Sequence, residues 1–258
     1  MRRVAKTAVG VAAAVALAAT AAVSISAAPL EPATAAIGSC PLPTFGAGSS
    51  YRPQLDRTAF SPNVTNPYSP LTPGTTFVYR GTKDGKQALD LFVPTTRTKV
   101  INGVPTRVVE DRLYLNGALE ERTSDYYSQD RCGNVWYFGE DTADLDAHGK
   151  VRSTNGSFHA GVNGGQPGVY MAATPAPGRW FRQEWSHGQA EDRFKVISTS
   201  SPVTAASGKY RNALRTEERT ALERGVVDNK YYVRGIGQVA ELSVKGPTEK
   251  LTLVEVIS

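Results

Sequence analysis

The stretch "VINGVPTRVVEDRLYLNGAL", Val100–Leu119, contains two Asn-Gly pairs between runs rich in β-branched and aromatic residues. A two-residue hairpin turn needs positive φ at both central positions, and Asn and Gly adopt positive φ at low cost. The pairs Asn102-Gly103 and Asn116-Gly117 therefore predict three antiparallel strands joined by tight turns.

The strand-and-turn pattern extends in both directions from this stretch. It begins at "TTFVYRG" (75–81), and the next connections contain Cys132-Gly133-Asn134 and His148-Gly149. Residues 155–179 are rich in Gly and Pro, which predicts a long loop or a short strand across one end of the sheet. The segment 212–225 partly fits helical spacing, but its strand-like flanks favour strand, loop, strand with at most one helical turn near 221–224.

Aromatic and apolar runs at 136–138, 180–181 and 231–232 indicate strands that are apolar on both faces. In an antiparallel sheet, one such face packs against a core, and the other then lines a second surface such as a cavity. We therefore predict an all-β fold over 76–258. The expected shape is a curved antiparallel sheet that forms a half-barrel or incomplete barrel, with room for a cavity.

Residues 1–35 have the features of a secretory signal peptide. Arg2, Arg3 and Lys6 precede an Ala/Val-rich apolar run, and "ATAA" provides a small-residue cleavage site ending near Ala35. A retained membrane anchor is the alternative, but the weakly apolar alanines favour cleavage and secretion without a stable transmembrane anchor. "IGSC" (37–40) resembles a lipoprotein box ending at Cys40, yet "PLEPATAA" separates it from the apolar run, so lipidation is the minor alternative.

Residues 36–75 form a Pro-rich segment that we expect to be extended and irregular rather than packed. Cys40 and Cys132 are the only cysteines of the chain. In an oxidising compartment they predict a single disulfide that ties this N-terminal strap to the sheet. This disulfide would close a loop of 92 residues. Loop-closure entropy then contributes about 4–5 kcal/mol to the stability of the folded state.

The net charge of the chain does not indicate a particular class of partner. Removal of the signal peptide takes away three basic residues and one acidic residue, which lowers the formal charge from +5 to +3 over the remaining 223 of 258 residues. This weak basicity gives no reason to expect a nucleic-acid partner or an anionic membrane surface.

Several phrases carry a resemblance: "YYSQDRCGNVWYFGED", "GSFHAGVNG", "WFRQEWSHGQAED" and "VVDNKYYVRGIGQVAEL". Over about residues 70–258 the chain resembles a group of uncharacterised secreted bacterial β-rich proteins. The phrase "YYVRGIGQVAEL" also looks like the last hairpin of LolA/LppX-like domains. That resemblance implies a curved half-barrel, and for several of those domains it implies binding of acyl chains.

Catalytic motifs are weak. Paired carboxylates could serve glycoside hydrolysis, and candidates near aromatic residues are Glu140, Asp141, Glu184, Glu191 and Asp192. The three histidines lack zinc-site spacing, no G-x-S-x-G occurs, and the acidic stretch 140–150 fails the EF-hand pattern. In "WFRQEW", Arg182 and Glu184 share a face, which predicts a structural ion pair. We predict no catalytic residue, no metal ligand and no cofactor.

The sequence favours a secreted non-catalytic module that binds an apolar or amphipathic ligand, such as a lipid, in its concave sheet. The alternatives are a secreted carbohydrate-active enzyme and a structural protein of the cell surface. The candidate ligand-binding residues are Trp136, Tyr137, Phe138, Glu140, Trp180, Trp185, Tyr231 and Tyr232. Because side chains alternate along a strand, only one ring of Trp136 and Tyr137 should face the concavity.

Overall fold

The structure, a computed structural model, describes residues 40–258. The predicted signal peptide and its cleavage site near Ala35 lie outside the described residues. Two short 3₁₀ turns, Gly48–Ser50 and Arg57–Ala59, precede the strands. The strands are β1 (Phe60–Ser61), β2 (Thr76–Lys83), β3 (Lys86–Ile101), β4 (Val104–Leu115), β5 (Ala118–Asp130), β6 (Val135–Leu145), β7 (Val151–Ser153), β8 (Phe158–His159), β9 (Gln166–Met171), β10 (Trp180–Arg182), β11 (Glu184–Trp185), β12 (Asp192–Ala205), β13 (Gly208–Thr220), β14 (Val227–Val233), β15 (Gly237–Lys245) and β16 (Glu249–Ile257).

Thirteen of these strands form one antiparallel sheet in the order β10-β12-β13-β14-β15-β16-β2-β3-β4-β5-β6-β9-β11. The sheet is nearly closed into a barrel, with one seam between its end strands β10 and β11. Those end strands are separated by Gln183 alone, so the chain itself crosses the seam. The predicted all-β class and the curved, incomplete barrel are confirmed.

Both predicted Asn-Gly hairpins are present. Asn102 and Gly103 have φ of 48° and 77°, and Asn116 and Gly117 have φ of 49° and 85°. These angles suit the type I′ turns whose twist matches that of the flanking strands. The segment 208–220 is strand β13 and 221–225 is a turn-rich loop, so the preference for strand over helix is confirmed.

The seam depends on a close backbone approach at Gly168 of β9. A Cβ atom at this position would lie 2.3 Å from the carbonyl oxygen of Arg182 and 2.5 Å from that of Gln183. Only glycine has no Cβ, so only glycine allows β9 to pack this closely against the crossing segment. The seam is completed on its other side by a hydrogen bond from the amide of Gln183 to the carbonyl oxygen of Asp192, 2.9 Å long.

The N-terminal strap (residues 40–75) is tied to the sheet as predicted, since Cys40 and Cys132 form a disulfide with Cα atoms 6.0 Å apart. Strand β1 pairs with β5. The expectation that the strap is unpacked is wrong, because Phe60, Val64, Tyr68 and Leu71 are all buried in the main hydrophobic cluster. Their apolar side chains cover one face of the sheet, and that burial outweighs the irregular backbone that the prolines impose.

Candidate functional site

A cavity of about 430 Å³ lies on the inner face of the curved sheet. Its polar lining is dominated by eight carboxyl groups and two lysines: Asp90, Asp111, Glu121, Asp125, Glu140, Glu184, Asp192, Glu241, Lys83 and Lys230. Seven aromatic rings share this lining: Phe77, Tyr79, Phe92, Tyr127, Tyr137, Tyr170 and Tyr232. The cavity is therefore acidic and aromatic, not apolar.

Strand β6 contributes both Tyr137 and Glu140 to the cavity because it contains a bulge. Tyr137 pairs with Tyr127 and Glu140 with Asp125, so β6 has one residue more than β5 between the two pairs. Gly139 occupies the bulge with φ of 140°, and a Cβ there would lie 2.3 Å from the carbonyl oxygen of Phe158. A bulge reorients the following side chain, which brings Glu140 to the same face as Tyr137.

Tyr137 is thus the ring of this strand that faces the cavity. Its hydroxyl donates a hydrogen bond of 2.6 Å to Asp125. Burial, together with the neighbouring carboxyl of Asp111, raises the pKa of Asp125 to about 8. The rings of Tyr137 and Tyr170 flank that of Tyr127, with centroids 5.0 and 4.8 Å from it.

Asp90 and Asp111 form a pair of neighbouring carboxyl groups on β3 and β4. Burial raises the pKa of both, and the proximity of Asp111 raises that of Asp90 further. Among the described residues no donor lies within hydrogen-bond distance of the buried Oδ1 atom of Asp90. Two adjacent carboxyl groups relieve their repulsion by sharing a proton or by taking up a cation.

Lys230 is the central cation of the cavity. Burial lowers its pKa, but the carboxylates of Glu241 and Glu218 outweigh this effect and hold the pKa well above its usual range. Its Nζ atom lies 3.6 Å from Glu241, while Lys83 pairs with Glu249 at 3.0 Å. Each lysine is therefore already paired with one carboxylate. Among the described residues, the two lysines of the cavity lining are too few to pair with all eight of its carboxyl groups.

A second carboxyl group cluster lies beside the seam and comprises Glu140, Glu184 and Asp192. Burial raises the pKa of Glu140 and Glu184, and the neighbouring carboxylate of Asp192 raises that of Glu184 further. Asp192 is exposed, so water reaches this side of the cavity. The cluster therefore lies where a ligand could enter from solvent.

The structure places three of the eight sequence-predicted binding residues in the cavity: Tyr137, Glu140 and Tyr232. Tyr231 is buried in the second hydrophobic cluster, with Val239 and Leu253. Trp180 stacks on Phe45 with ring centroids 5.4 Å apart, outside the cavity. These positions follow from strand alternation, which sends the adjacent rings of a pair such as Tyr231 and Tyr232 to opposite faces.

Trp136 and Phe138 lie on the face of β6 that the strap covers. Their rings pack against Phe60, with centroid distances of 6.0 and 5.3 Å. The indole nitrogen of Trp136 donates to Asp130 Oδ2 at 3.0 Å, which satisfies the only polar atom of this buried ring. Both residues thus belong to the packing between the strap and the sheet.

The predicted ion pair between Arg182 and Glu184 is wrong. Arg182 donates two hydrogen bonds, of 3.1 and 2.6 Å, to the carbonyl oxygen of Gly46, whereas Glu184 lines the cavity. The chain crosses the seam at Gln183, so the simple alternation of one continuous strand does not apply. Trp185 packs over Gly48, where a Cβ would lie 1.9 Å from the indole ring.

Of the five carboxylates considered for glycoside chemistry, Glu140, Glu184 and Asp192 line the cavity and two do not. Asp141 contacts Lys99 and His159 at 3.0 Å each, and Glu191 accepts a hydrogen bond of 2.9 Å from the amide of Gly188. Sequence reasoning missed Asp90, Asp111, Asp125 and Lys230. Of these four, Asp90 alone is marked by a local pattern, since it interrupts the otherwise apolar strand "ALDLFV".

Comparisons with known proteins give two distant structural likenesses and no sequence match. No protein-family model matches the chain, and no curated protein matches it significantly. A predicted exported protein with a YmcC-like fold from Bacteroides fragilis superposes with a TM-score of 0.44 and 13% identity, covering 75% of this chain and 100% of that one. A predicted lipoprotein from Parabacteroides distasonis gives a TM-score of 0.40 and 10% identity, covering 74% and 98%.

Likenesses of this size leave the function of the chain to be argued from its own residues. They do not bear on the resemblance to LolA/LppX-like domains, which remains a prediction. Within residues 40–258, no helix has the length and hydrophobicity needed to cross a bilayer.

Proposed function

We propose that the protein is a secreted, non-catalytic module whose cavity binds an amphipathic ligand with a positively charged nitrogen. The observation that carries this proposal is the cavity lining, in which eight carboxyl groups face two lysines. Export is supported by the signal-peptide pattern of residues 1–35 and by the Cys40–Cys132 disulfide.

The excess of carboxyl groups in the cavity favours a ligand that carries a positive charge. Desolvation raises the pKa of most cavity carboxyls, and that of Asp125 reaches about 8, so Asp125 holds a proton near neutral pH and adds little repulsion. A ligand cation would displace this proton and supply the partner that Asp90 Oδ1 lacks. An anionic ligand such as a fatty acid would instead add a charge of the same sign.

The aromatic rings select the apolar part of the ligand. Five tyrosines and two phenylalanines line the cavity, and their faces attract alkylammonium groups as well as hydrocarbon. The cavity volume lies in the range of sites for small organic molecules. Among the ligands that the sequence favoured, an amphipathic one therefore fits this lining better than a purely apolar one.

The test is calorimetry on protein purified without detergent, using two detergents below their micelle concentrations and one small cation. We expect decyltrimethylammonium to bind, decyl sulfate of equal chain length to bind at least tenfold more weakly, and tetramethylammonium to bind weakly. The Asp90→Asn/Asp111→Asn variant should lose at least tenfold in affinity for the cation. Asp84→Asn, which removes an exposed carboxylate from the β2–β3 turn, should not.

Affinity for this permanently charged probe should rise with pH between about 6 and 9, because Asp125, whose pKa is about 8, then ionises. Equal binding of the cationic and anionic detergents, or no binding of either, would rule the proposal out.

A carbohydrate-active enzyme is the second candidate, favoured by one observation. Glu140, Glu184 and Asp192 lie together on the cavity, and the pKa of Glu140 and of Glu184 is raised, as a general acid requires. The rings of Trp136, Trp180 and Trp185, which could stack on sugars, do not line the cavity, which weakens this candidate. Turnover of aryl glycosides that is lost in Glu184→Gln but kept in Glu191→Gln would establish it.

A further inference from the structure

A second concave surface, on the outside of the sheet next to the seam, has the opposite charge. Its lining combines four basic residues with one acidic residue and two aromatic rings: Arg182, Arg193, Lys195, Arg219, Glu217, Phe45 and Trp180. An adjoining depression shares Arg193 and Arg219 and adds Arg224. We call this surface the basic groove.

Three arginines of the basic groove stand in one row across three neighbouring strands. Arg182 of β10 pairs directly with Arg193 of β12, which pairs directly with Arg219 of β13. Directly opposed residues share a face with their Cβ atoms about 5 Å apart, and like charges in such positions are destabilising. Glu217 binds Arg219 at 2.8 Å and offsets only one of the three charges.

Arg182 is held in place rather than free to move away from its neighbours. It is only 6% exposed, and its guanidinium lies 5.3 Å from the ring of Phe45 and 5.1 Å from that of Trp185. Two of its nitrogen atoms donate to Gly46, whereas the buried Nη1 atom has no hydrogen-bond acceptor among the described residues. Burial and the charge of Arg193 both lower the pKa of Arg182.

We propose that the basic groove binds a phosphate group, seated over Arg193 between Arg182 and Arg219. The planar guanidinium of arginine matches the oxygen atoms of a phosphate. A polyvalent anion also offsets more of the repulsion among the three arginines than the single carboxylate of Glu217 does. Lys195, whose Nζ lies 5.7 Å from the ring of Trp180, extends the positive surface for a second phosphate or for the rest of the ligand.

The chemistry alone admits two sources of phosphate, a soluble phosphate compound and a phospholipid headgroup. Calorimetry with inorganic phosphate and tripolyphosphate at constant ionic strength tests the first. Co-flotation with phosphatidylglycerol vesicles, compared with phosphatidylcholine vesicles, tests the second. Binding in the first assay alone identifies a soluble ligand, and binding in the second alone identifies a headgroup.

Arg193→Gln and, separately, Arg219→Gln should each weaken binding at least tenfold in whichever assay is positive. Arg211→Gln is the matched control, since Arg211 is exposed on the same strand as Arg219 but lies outside the groove. Thermal melts of each variant confirm folding. Failure of the unsubstituted protein in both assays, or an equal loss in Arg211→Gln, would overturn the proposal.

The cavity and the basic groove can be separated experimentally. The Asp90→Asn/Asp111→Asn variant should bind phosphate like the unsubstituted protein, because these residues lie on the inner face of the sheet.

Discussion

Asp130 shows how one buried carboxylate organises the turn that enters β6. Its Oδ1 atom accepts hydrogen bonds from the amides of Cys132 and Asn134, at 2.9 and 3.0 Å. Its Oδ2 atom accepts from the side chains of Asn134 and Trp136, at 2.8 and 3.0 Å. Four donors thus depend on one side chain that is 6% exposed.

We expect Asp130→Ala to lower the free energy of unfolding by about 2–4 kcal/mol, because buried donors would lose their acceptor. Urea denaturation measures this. Asp146→Ala is the control, since Asp146 accepts two amide hydrogen bonds in an exposed turn, and it should cost less than about 1 kcal/mol. Equal losses in the two variants would contradict the role assigned to Asp130.

Asp125 links stability to pH. Its pKa is about 8 in the folded protein against 3.8 for an unperturbed group, so folding takes up a proton between these values. Stability contributed by this proton is present at low pH and is lost as pH rises through the window, by at most about 1.4 kcal/mol per pH unit. Asp125→Asn should therefore flatten the decline in the free energy of unfolding between pH 5 and 9.

Denaturation at several pH values checks this prediction. Asp84→Asn should leave the slope unchanged, because Asp84 lies in an exposed turn. A slope as steep in Asp125→Asn as in the unsubstituted protein would show that Asp125 titrates normally.

Among the elements, the hairpins were predictable and the bulge in β6 was not. Asn102-Gly103 and Asn116-Gly117 act through their own backbone preferences, which are visible in a sequence. Gly139 is required because the carbonyl of Phe158, nineteen residues further along the chain, packs against it. Such a contact depends on the fold, so sequence alone could not show that Glu140 faces inward beside Tyr137.

The close contact between β9 and the segment that crosses the seam can be tested by mutation. Gly168→Ala would place a Cβ atom 2.3 Å from the carbonyl oxygen of Arg182, a backbone atom that cannot rotate away. We expect a loss of about 2–3 kcal/mol in the free energy of unfolding, with β9 forced away from the crossing segment. Gly46→Ala is the control, because its added methyl group meets no atom within 4 Å and Gly46, like Gly168, is not among the glycines with positive φ, so it should cost little.

At the scale of the molecule, the sequence indicated a curved sheet with something on its concave face, but not its charge. The runs at 136–138 and 231–232 suggested apolar residues on both faces, and the structure divides them: Tyr137 and Tyr232 face the cavity, Phe138 and Tyr231 the packed side. The inward carboxyls come from strands far apart in the chain. Only closure of the sheet brings them together, so no local sequence pattern could reveal the acidic cavity. The same holds for the basic groove on the outer face of the sheet.

The strap packs against the closed sheet, and its disulfide allows a prediction about the stability of the whole molecule. Cys40 and Cys132 are 92 residues apart, and the strap between Cys40 and β2 buries Phe60 and Val64 against the sheet. Opening this loop with Cys40→Ser/Cys132→Ser should lower the free energy of unfolding by about 4–5 kcal/mol, mainly through the freedom gained by the unfolded chain. The cavity should keep its ligand affinity at temperatures where the variant is folded, because no cavity residue belongs to the disulfide. Urea denaturation with and without a reducing agent measures the first effect, and calorimetry the second. If reduction left the midpoint unchanged, the strap would be held by its buried side chains alone.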